Sequence, residues 1–170
     1  SVISRCLRSF FVAPAGYRLI GGDFSNVEGR GTAWISGEHW KIAAFVAADN
    51  KTGPGIYELG AAKILGIQPD QVTKAQRQAY GKVPELALGY QGGVGAFQTM
   101  AKTYGVKIDD FEADKIKHSW RAAHPKIKQT WYDLQNAAIR AVRNPGSVYD
   151  AGHPGRGVKF KVVGSFLWCL

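Results

Sequence analysis

Asp23 is the first residue whose type and position could do chemistry. It lies at the end of the stretch 17–24, which the sequence predicts to be a short strand, just before a predicted helix. A carboxylate at such a place suits a hard cation such as Mg2+, which takes one or two protein carboxylates and leaves positions for phosphate oxygens. An aspartate that caps a turn or a helix is the commoner case. Position alone therefore leaves both roles open.

Glu28 and Arg30 follow on the predicted helix. Ser25 and Glu28 have the S-x-x-E spacing of a capping box, which predicts that Ser25 begins the helix and that the Glu28 side chain bonds back to it. Arg30 is either a solvated surface charge or the partner of an acidic residue. By themselves, these residues indicate the start of a helix rather than a binding site.

Arg77 and Lys82 are the basic residues best placed to meet a phosphate group. On a regular helix, five residues amount to about 500° of rotation, so the two side chains would point about 140° apart and would not reach one phosphate together. Gly81 and Pro84 interrupt this helix, and we expect a kink or a new helix beginning at Pro84. Lys82 is either a ligand for a triphosphate or an ordinary solvated lysine.

The run from Gly89 to Gly95 is rich in glycine. It matches neither the G-x-G-x-x-G pattern nor the G-x-x-x-x-G-K-[ST] phosphate loop, so it predicts only a sharp turn or the close approach of another segment. Tyr90, within this run, could be a core residue, a platform for a base or a hydroxyl donor. Basic and aromatic residues alternate over 118–143, where they could line a nucleic-acid backbone or form a solvated helix face.

The elements that must position these residues are mostly helices. Glycine and proline stops predict helices at about 25–36, 38–48, 55–65, 95–104, 109–123 and 125–143, and alternating residues predict strands at 17–24, 148–149, 158–163 and 165–170. Strands and helices do not alternate along the chain, so a doubly wound sheet is not expected. The predicted fold class is α+β and mainly helical.

Composition limits the class of protein. The 170 residues carry 22 Lys and Arg against 13 Asp and Glu, a formal charge of +9, which predicts an anionic partner such as nucleic acid or a nucleotide. The hydrophobic fraction of 45% is enough for a packed core. No apolar run is long enough to span a membrane, and no zinc-ligand spacing occurs. These features favour a basic cytoplasmic protein without a membrane partner.

Two sequence motifs, considered together, resemble those of a known protein family. The run Asp23-Phe24-Ser25-Asn26-Val27-Glu28-Gly29-Arg30 resembles the first polymerase motif of family A DNA polymerases, D-[YF]-S-x-[IV]-E-x-R. The run Lys82-Val83-Pro84-Glu85-Leu86-Ala87-Leu88-Gly89-Tyr90-Gln91-Gly92 resembles the second, with a tyrosine eight residues after the lysine. The order and separation of the motifs also fit. The likeness extends along essentially the whole chain, and the sequence most resembles the polymerases of phages and prophages.

The resemblance implies a helical fingers lobe attached to part of a small palm sheet. Residues 1–37 would be a partial palm, 38–144 the fingers and 145–170 strands that return toward the palm. The chain ends at Leu170 within an apolar run, and it contains no His-Asp pair like that of the family's third motif, which supplies a second metal-binding aspartate. We therefore expect a polymerase fragment that is inactive alone, with an artefactual dimer through the truncated strand as one outcome.

Site roles follow from the same resemblance. Asp23 and the Phe24 carbonyl would hold Mg2+, with two ions expected in the complete enzyme. Glu28 would crowd the 2′ position of an incoming ribonucleotide and accept a hydrogen bond from Tyr90. Lys82 would bind the triphosphate and donate a proton to the pyrophosphate. The partners would be deoxynucleoside triphosphates and primer–template DNA.

The DNA contacts implied by the resemblance come from Arg30 and from the turn formed by Tyr90, Gln91 and Gly92. Three positions depart from the family, one of them near Tyr57, where the family has a histidine. Leu86 stands where an aromatic residue usually stacks near the incoming base, and the family's arginine, four residues before the lysine, is Gln78 here, with Arg77 one residue further back. Both Arg77 and Leu86 remain predicted nucleotide-binding residues.

Two other classes of function are compatible with the residues alone. A non-catalytic basic helical module would bind nucleic acid with strong salt dependence and without any need for Asp23. A Mg2+-dependent phosphohydrolase would use Asp23 as a metal ligand and release phosphate from nucleotides without a template.

Overall fold

The computed structural model describes residues 7–170. Eight α-helical segments, one π-helical segment and a three-stranded sheet make up the regular structure of this part of the chain. The helices are α1 (Val27–Ser36), α2 (His39–Asp49), α3 (Ile56–Leu65), α4 (Lys74–Gln76), α5 (Val83–Leu88), α6 (Val94–Thr103), α7 (Asp110–Ala123) and α8 (Pro125–Arg143). The π-helical segment is Arg77–Lys82, and short 3-10 turns lie at Leu7–Phe10 and Pro69–Gln71. The predicted α+β class is confirmed.

Glycines end the first and third helices as the sequence predicts. Gly37 and Gly66 adopt left-handed conformations, with φ of 70° and 69°, and each donates its backbone N–H to a carbonyl of the preceding turn. Glycine reaches this conformation without the steric cost that a Cβ imposes. The boundaries of α1 and α3 are therefore set locally by the sequence.

The start of α1 differs from the predicted capping box. Asn26, not Ser25, precedes the helix, in a left-handed conformation with φ of 51°, and no side chain caps the end. The Ser25 carbonyl instead accepts a hydrogen bond of 2.9 Å from Nε of Arg30. The capping-box prediction for Ser25 and Glu28 is wrong. The hydrogen bond from Arg30, and not a side-chain cap, stabilises the turn before α1.

The predicted interruption near Gly81 and Pro84 takes the form of a π-helical turn. Helices α4 and α5 run into one another through Arg77–Lys82, and the Val83 N–H bonds to the Gln78 carbonyl, five residues back. Pro84 occupies the first turn of α5, where its missing N–H costs least. A Cβ on Gly81 would overlap the Tyr57 carbonyl oxygen, so this glycine lets the π turn pack directly on α3.

The C-terminal residues form an antiparallel sheet in the order β1 (Val148–Ala151), β2 (Val158–Val163) and β3 (Phe166–Cys169). Strand β1 packs against α8, whereas every residue of β3 is exposed. Strand β3 is therefore an open edge, where another strand could pair.

The strand predicted at 17–24 is absent. These residues have no regular structure, and the three-stranded sheet does not include them. Their side chains are exposed, among them Tyr17, Leu19, Ile20 and Phe24. A strand needs a partner for its backbone N–H and C=O groups, and none of residues 7–170 pairs with this segment.

The main core lies where α5, α6, α7 and the start of α8 meet. Its buried residues include Leu88, Phe97 and Trp120. A smaller cluster between α2 and α3 contains Phe45 and Ile56. Two polar contacts join α2 to the junction of α7 and α8: Nε1 of Trp40 donates to the Ala123 carbonyl at 3.0 Å, and the buried Glu38 carboxylate accepts the Lys126 N–H at 2.9 Å. None of the helices in residues 7–170 has the length and apolar character needed to cross a membrane.

Candidate nucleotide-binding site

Asp23 and Phe24 lie in the exposed segment just before α1. Their exposure leaves the Asp23 carboxylate and the Phe24 carbonyl accessible to a ligand. No group of three or more His, Cys, Asp or Glu residues within 7–170 is arranged to hold a metal ion. The described residues thus offer a Mg2+ ion one carboxylate and one carbonyl, which fits part of its ligand shell and does not complete it.

Glu28 and Tyr90 lie within electrostatic range of one another although 62 positions separate their numbers in the chain. Both side chains are exposed. The pKa of the Tyr90 hydroxyl is raised, first by burial of the group and then by the negative charges of Glu28 and Glu85. No hydrogen bond joins Tyr90 and Glu28 in residues 7–170, and the predicted bond between them stays a prediction for the complete enzyme.

Tyr57, on α3, is the centre of the same group of charges. Burial raises the pKa of its hydroxyl most, Glu85 raises it further and Arg77 lowers it. Glu28 also acts on it. These residues come from α1, α3, the π-helical segment and α5, so four separate segments contribute to one charged cluster.

The π-helical turn changes the relation between Arg77 and Lys82. A π turn closes its hydrogen bonds over five residues, where an α turn closes them over four. Residues five apart therefore lie about one turn apart in this segment, and the divergence expected on a regular helix does not apply.

Arg77 and Lys82 have different surroundings. Nε of Arg77 forms an ion pair with Oε1 of Glu58, and its guanidinium carbon lies 4.9 Å from the ring centre of Tyr57. Nζ of Lys82 lies 4.7 Å from the ring centre of Tyr104, and no carboxylate among residues 7–170 pairs with it. A cation over an aromatic face is held only weakly, so Lys82 is available to an anionic ligand.

Arg30 is engaged within the protein. Its two terminal nitrogens bond the two carboxylate oxygens of Asp49, at 2.7 and 2.8 Å, and its guanidinium carbon lies 4.5 Å from the ring centre of Phe45. The Asp49 hydrogen bond raises the pKa of Arg30, and the same bond lowers the pKa of Asp49. Of the two roles that the sequence leaves open for Arg30, the structure shows the ion pair. The contact of Arg30 with DNA stays a prediction.

The glycine-rich turn is fixed by the two longest helices. Nη2 of Arg121, on α7, donates to the Gly92 carbonyl, and Nε1 of Trp131, on α8, donates to the Gly89 carbonyl, each at 3.1 Å. A Cβ on Gly92 would overlap the Ala87 carbonyl oxygen, which accounts for glycine there. Gln91 is exposed in a left-handed conformation, with φ of 64°. The turn thus holds Tyr90 and Gln91 at the surface.

A buried ion pair supports the cluster and was not predicted from the sequence. Lys41 and Glu85, 44 positions apart, are paired with side chains only 1% and 8% exposed. A Cβ on Gly29 would come within 2.7 Å of the Glu85 carboxylate, so α1 passes directly over the pair. The only sign of this ion pair in the sequence is that Lys41 and Glu85 are charged residues within largely apolar helices. Leu86, next to Glu85, is half-buried on α5.

Comparisons with known proteins agree with the motifs. The DNA polymerase of Bacillus phage SP02 is 38% identical over 144 residues, which are 84% of this chain and 21% of that protein. DNA polymerase I of Chloroflexus aurantiacus is 33% identical over 105 residues, 62% of this chain and 10% of its own length. DNA polymerase I of Pseudomonas aeruginosa is 30% identical over 109 residues, 64% of this chain and 11% of its own length. No family model matches the chain.

The relatives are DNA-directed DNA polymerases, and this chain is homologous to a segment of them. Because they include both a phage polymerase and bacterial DNA polymerase I, they confirm the resemblance to a segment of a family A DNA polymerase. The chain spans about a fifth of the length of the phage relative.

Proposed function

We propose that the chain is the fingers region and part of the palm of a template-directed DNA polymerase, which adds deoxynucleotides to a primer 3′ end. The observation that carries the proposal is the close packing of α1 on α5, where a Cβ on Gly29 would come within 2.7 Å of the Glu85 carboxylate. Lys82 immediately precedes α5 and Tyr90 lies in the turn that follows it. Motif residues distant in sequence thereby face one region that can accept a nucleotide.

In this proposal, the basic residues of the π-helical segment bind the triphosphate. Lys82 places its ammonium group on the phosphates and transfers a proton to the departing pyrophosphate, and Arg77 contacts the same phosphates. The charge of Lys82, placed where negative charge develops on the departing pyrophosphate, stabilises the transition state of phosphoryl transfer, whereas Arg77 contributes to binding of the nucleotide. Leu86 contributes an apolar contact near the base. It replaces the stacking aromatic residue of the family with a weaker surface.

Glu28 and Tyr90 provide selection in this proposal. The Glu28 side chain occupies the space that a ribose 2′-hydroxyl would need. Tyr90 covers the position of the template base, and Gln91 and Gly92 contact the template backbone. Arg30, held by Asp49, fixes the turn before α1 and lies near the primer.

Asp23 and the Phe24 carbonyl would supply protein ligands for Mg2+ in the complete enzyme. When bound, the two ions neutralise charge on the triphosphate and lower the pKa of the primer 3′-hydroxyl. A second carboxylate is needed, and the sequence has no His-Asp pair to provide it. We therefore propose that these 170 residues do not extend primers alone.

The test is primer extension by a complete polymerase that carries this segment. Asp23→Ala is expected to abolish extension, because alanine cannot replace a carboxylate that binds Mg2+ directly. Asp70→Ala, which removes an exposed carboxylate from a 3-10 turn, is the matched control and should retain full activity. A loss of only a few-fold in Asp23→Ala would remove Asp23 from the metal-binding role. Salt-dependent DNA binding without extension by the unaltered enzyme would favour a basic binding module instead.

A further inference from the structure

The ion pair between Arg77 and Glu58 involves only one of the three nitrogens of the Arg77 guanidinium. Glu58 contacts Nε, the inner nitrogen of the guanidinium, and the two terminal nitrogens of Arg77 form no hydrogen bond within residues 7–170. The Arg77 side chain is 38% exposed and that of Glu58 28%. Arg77 is therefore held on one side, with its other donors unused.

Arg30 shows the contrasting arrangement. Both of its terminal nitrogens are bonded to Asp49, and its Nε is bonded to the Ser25 carbonyl. Each of its three nitrogens thus donates one hydrogen bond to a protein group. Arg77 keeps the pair of terminal N–H groups that matches two phosphate oxygens, the geometry that makes arginine suited to bidentate recognition.

Two further contacts limit the motion of the Arg77–Glu58 pair. The face of the Tyr57 ring covers the guanidinium, with 4.9 Å from the ring centre to the guanidinium carbon. The second oxygen of Glu58, Oε2, is buried and has no hydrogen-bond partner in the described chain, and a Cβ on Gly55 would overlap it. Glu58 is thus enclosed beside Gly55, in the wall of a pocket of about 230 Å³ that Arg77 also lines.

We propose that Glu58 is a positioning residue that orients Arg77 through Nε and presents its terminal nitrogens to the triphosphate of the incoming nucleotide. The inference rests on the proposed polymerase function. Holding a long side chain in its bound conformation beforehand removes part of the entropic cost of binding. The gain appears in nucleotide affinity, because the contact is made alike in the ground state and the transition state.

The experiment measures single-nucleotide incorporation by the complete polymerase. Glu58→Ala is expected to raise KM for the deoxynucleotide about two- to ten-fold, the range that ordering one long side chain supplies, with kcat unchanged. Glu58→Gln keeps an acceptor for the Nε proton and is expected to keep KM close to that of the unaltered enzyme. Thermal unfolding of each variant checks that the enzyme remains folded.

A double variant separates orientation from other effects of the carboxylate. In an Arg77→Ala background, Glu58→Ala should change KM no further, because the group it orients is gone. An unchanged or lowered KM in Glu58→Ala, or an increase that persists without Arg77, would overturn the inference while leaving the polymerase proposal intact. Absence of any template-directed extension by the unaltered enzyme would overturn the proposed function and this inference with it.

Discussion

At the residue scale, the charged side chains differ in how far they are committed to contacts inside the protein. Arg30 is bonded at all three nitrogens and Arg77 at one. Lys82 lies over an aromatic ring without a carboxylate partner in the described chain. The sequence identified all three as candidates because of their positions in the motifs. It could not rank them, because Asp49, Glu58 and Tyr104 approach them only through the fold.

Glu28 gives a prediction at this scale. In the complete polymerase, Glu28→Ala is expected to relax discrimination against ribonucleotides about ten- to a hundred-fold, the range that one displaced contact in a substrate pocket can supply. The substitution is expected to open space beside the 2′ position of the nucleotide and to remove a carboxylate from it. The measurement is the ratio of kcat/KM for a deoxynucleotide to that for the matching ribonucleotide.

The control for that experiment is Asp70→Ala, which removes an exposed carboxylate away from α1. It should leave the ratio unchanged. If Glu28→Ala also left the ratio unchanged, Glu28 would have no part in selection against the 2′-hydroxyl.

At the element scale, glycines decide how closely helices approach. The π-helical segment packs on α3 because Gly81 has no side chain to meet the Tyr57 carbonyl. Gly81→Ala is therefore expected to destabilise the protein by about 1–3 kcal/mol, the usual cost of forcing extra atoms into a packed contact. The measurement is the free energy of unfolding from urea denaturation.

Gly31→Ala is the matched control for Gly81→Ala. Gly31 lies within α1, and a Cβ there would meet no atom within 4 Å. Because alanine is favoured over glycine inside a helix by about 1 kcal/mol, this variant should be as stable as the unaltered protein or more so. If Gly81→Ala were as stable as Gly31→Ala, the contact with the Tyr57 carbonyl would not be what requires glycine at position 81.

The elements themselves were largely predictable because their boundaries are local. Gly37 and Gly66 stop helices by their own backbone conformation, and Asn144 and Pro145 end the longest one. The segment 17–24 was wrongly predicted as a strand, because a strand depends on a partner elsewhere in the chain. The π turn was anticipated only as an interruption. Its exact form depends on packing against α3.

At the scale of the whole molecule, the buried His124 links stability to pH. Its ring stacks on Trp120, with 3.9 Å between ring centres, and Nδ1 donates to the Trp120 carbonyl at 2.7 Å. Nε2 is buried and has no partner among residues 7–170. Burial, and then the positive charge of Lys41, lower the pKa of His124 from 6.5 to about 3, with a smaller effect from Lys63.

Because the folded state binds the His124 proton less readily than the unfolded state, acid favours unfolding. The contribution is complete above pH 6.5 and is lost as the pH falls from 6.5 toward about 3. At pH 5 the expected loss is about 2 kcal/mol, at 1.36 kcal/mol for each pH unit. Urea denaturation at pH 7 and pH 5 measures it.

His124→Phe keeps an aromatic ring and removes the titrating group, so its stability should change less between the two pH values than that of the unaltered protein. His39→Gln, at an exposed position, should leave the pH dependence as it is. The same pH dependence in His124→Phe as in the unaltered protein would assign the acid sensitivity to other groups.

The long-range organisation was the least predictable level. Lys41 and Glu85 are 44 positions apart, and Glu38 caps a helix that begins at Pro125. Neither contact has a local sequence pattern, since each partner alone resembles an ordinary surface charge. The net charge of +9 predicts an anionic partner but gives no position for the binding surface.

The two polar contacts that join α2 to the junction of α7 and α8 also restrict how the molecule can bend. Glu38 and Trp40 hold that junction from both sides, and Lys41, one residue further on, is paired with Glu85 of α5. Helices α2, α5, α7 and α8 are therefore expected to move as one unit. Tyr90 moves with them because it lies in the turn that follows α5. Motion of this unit relative to Asp23 would be absorbed before the chain enters α1, between Asp23 and Ser25, because Arg30 holds the Ser25 carbonyl at the start of the helix.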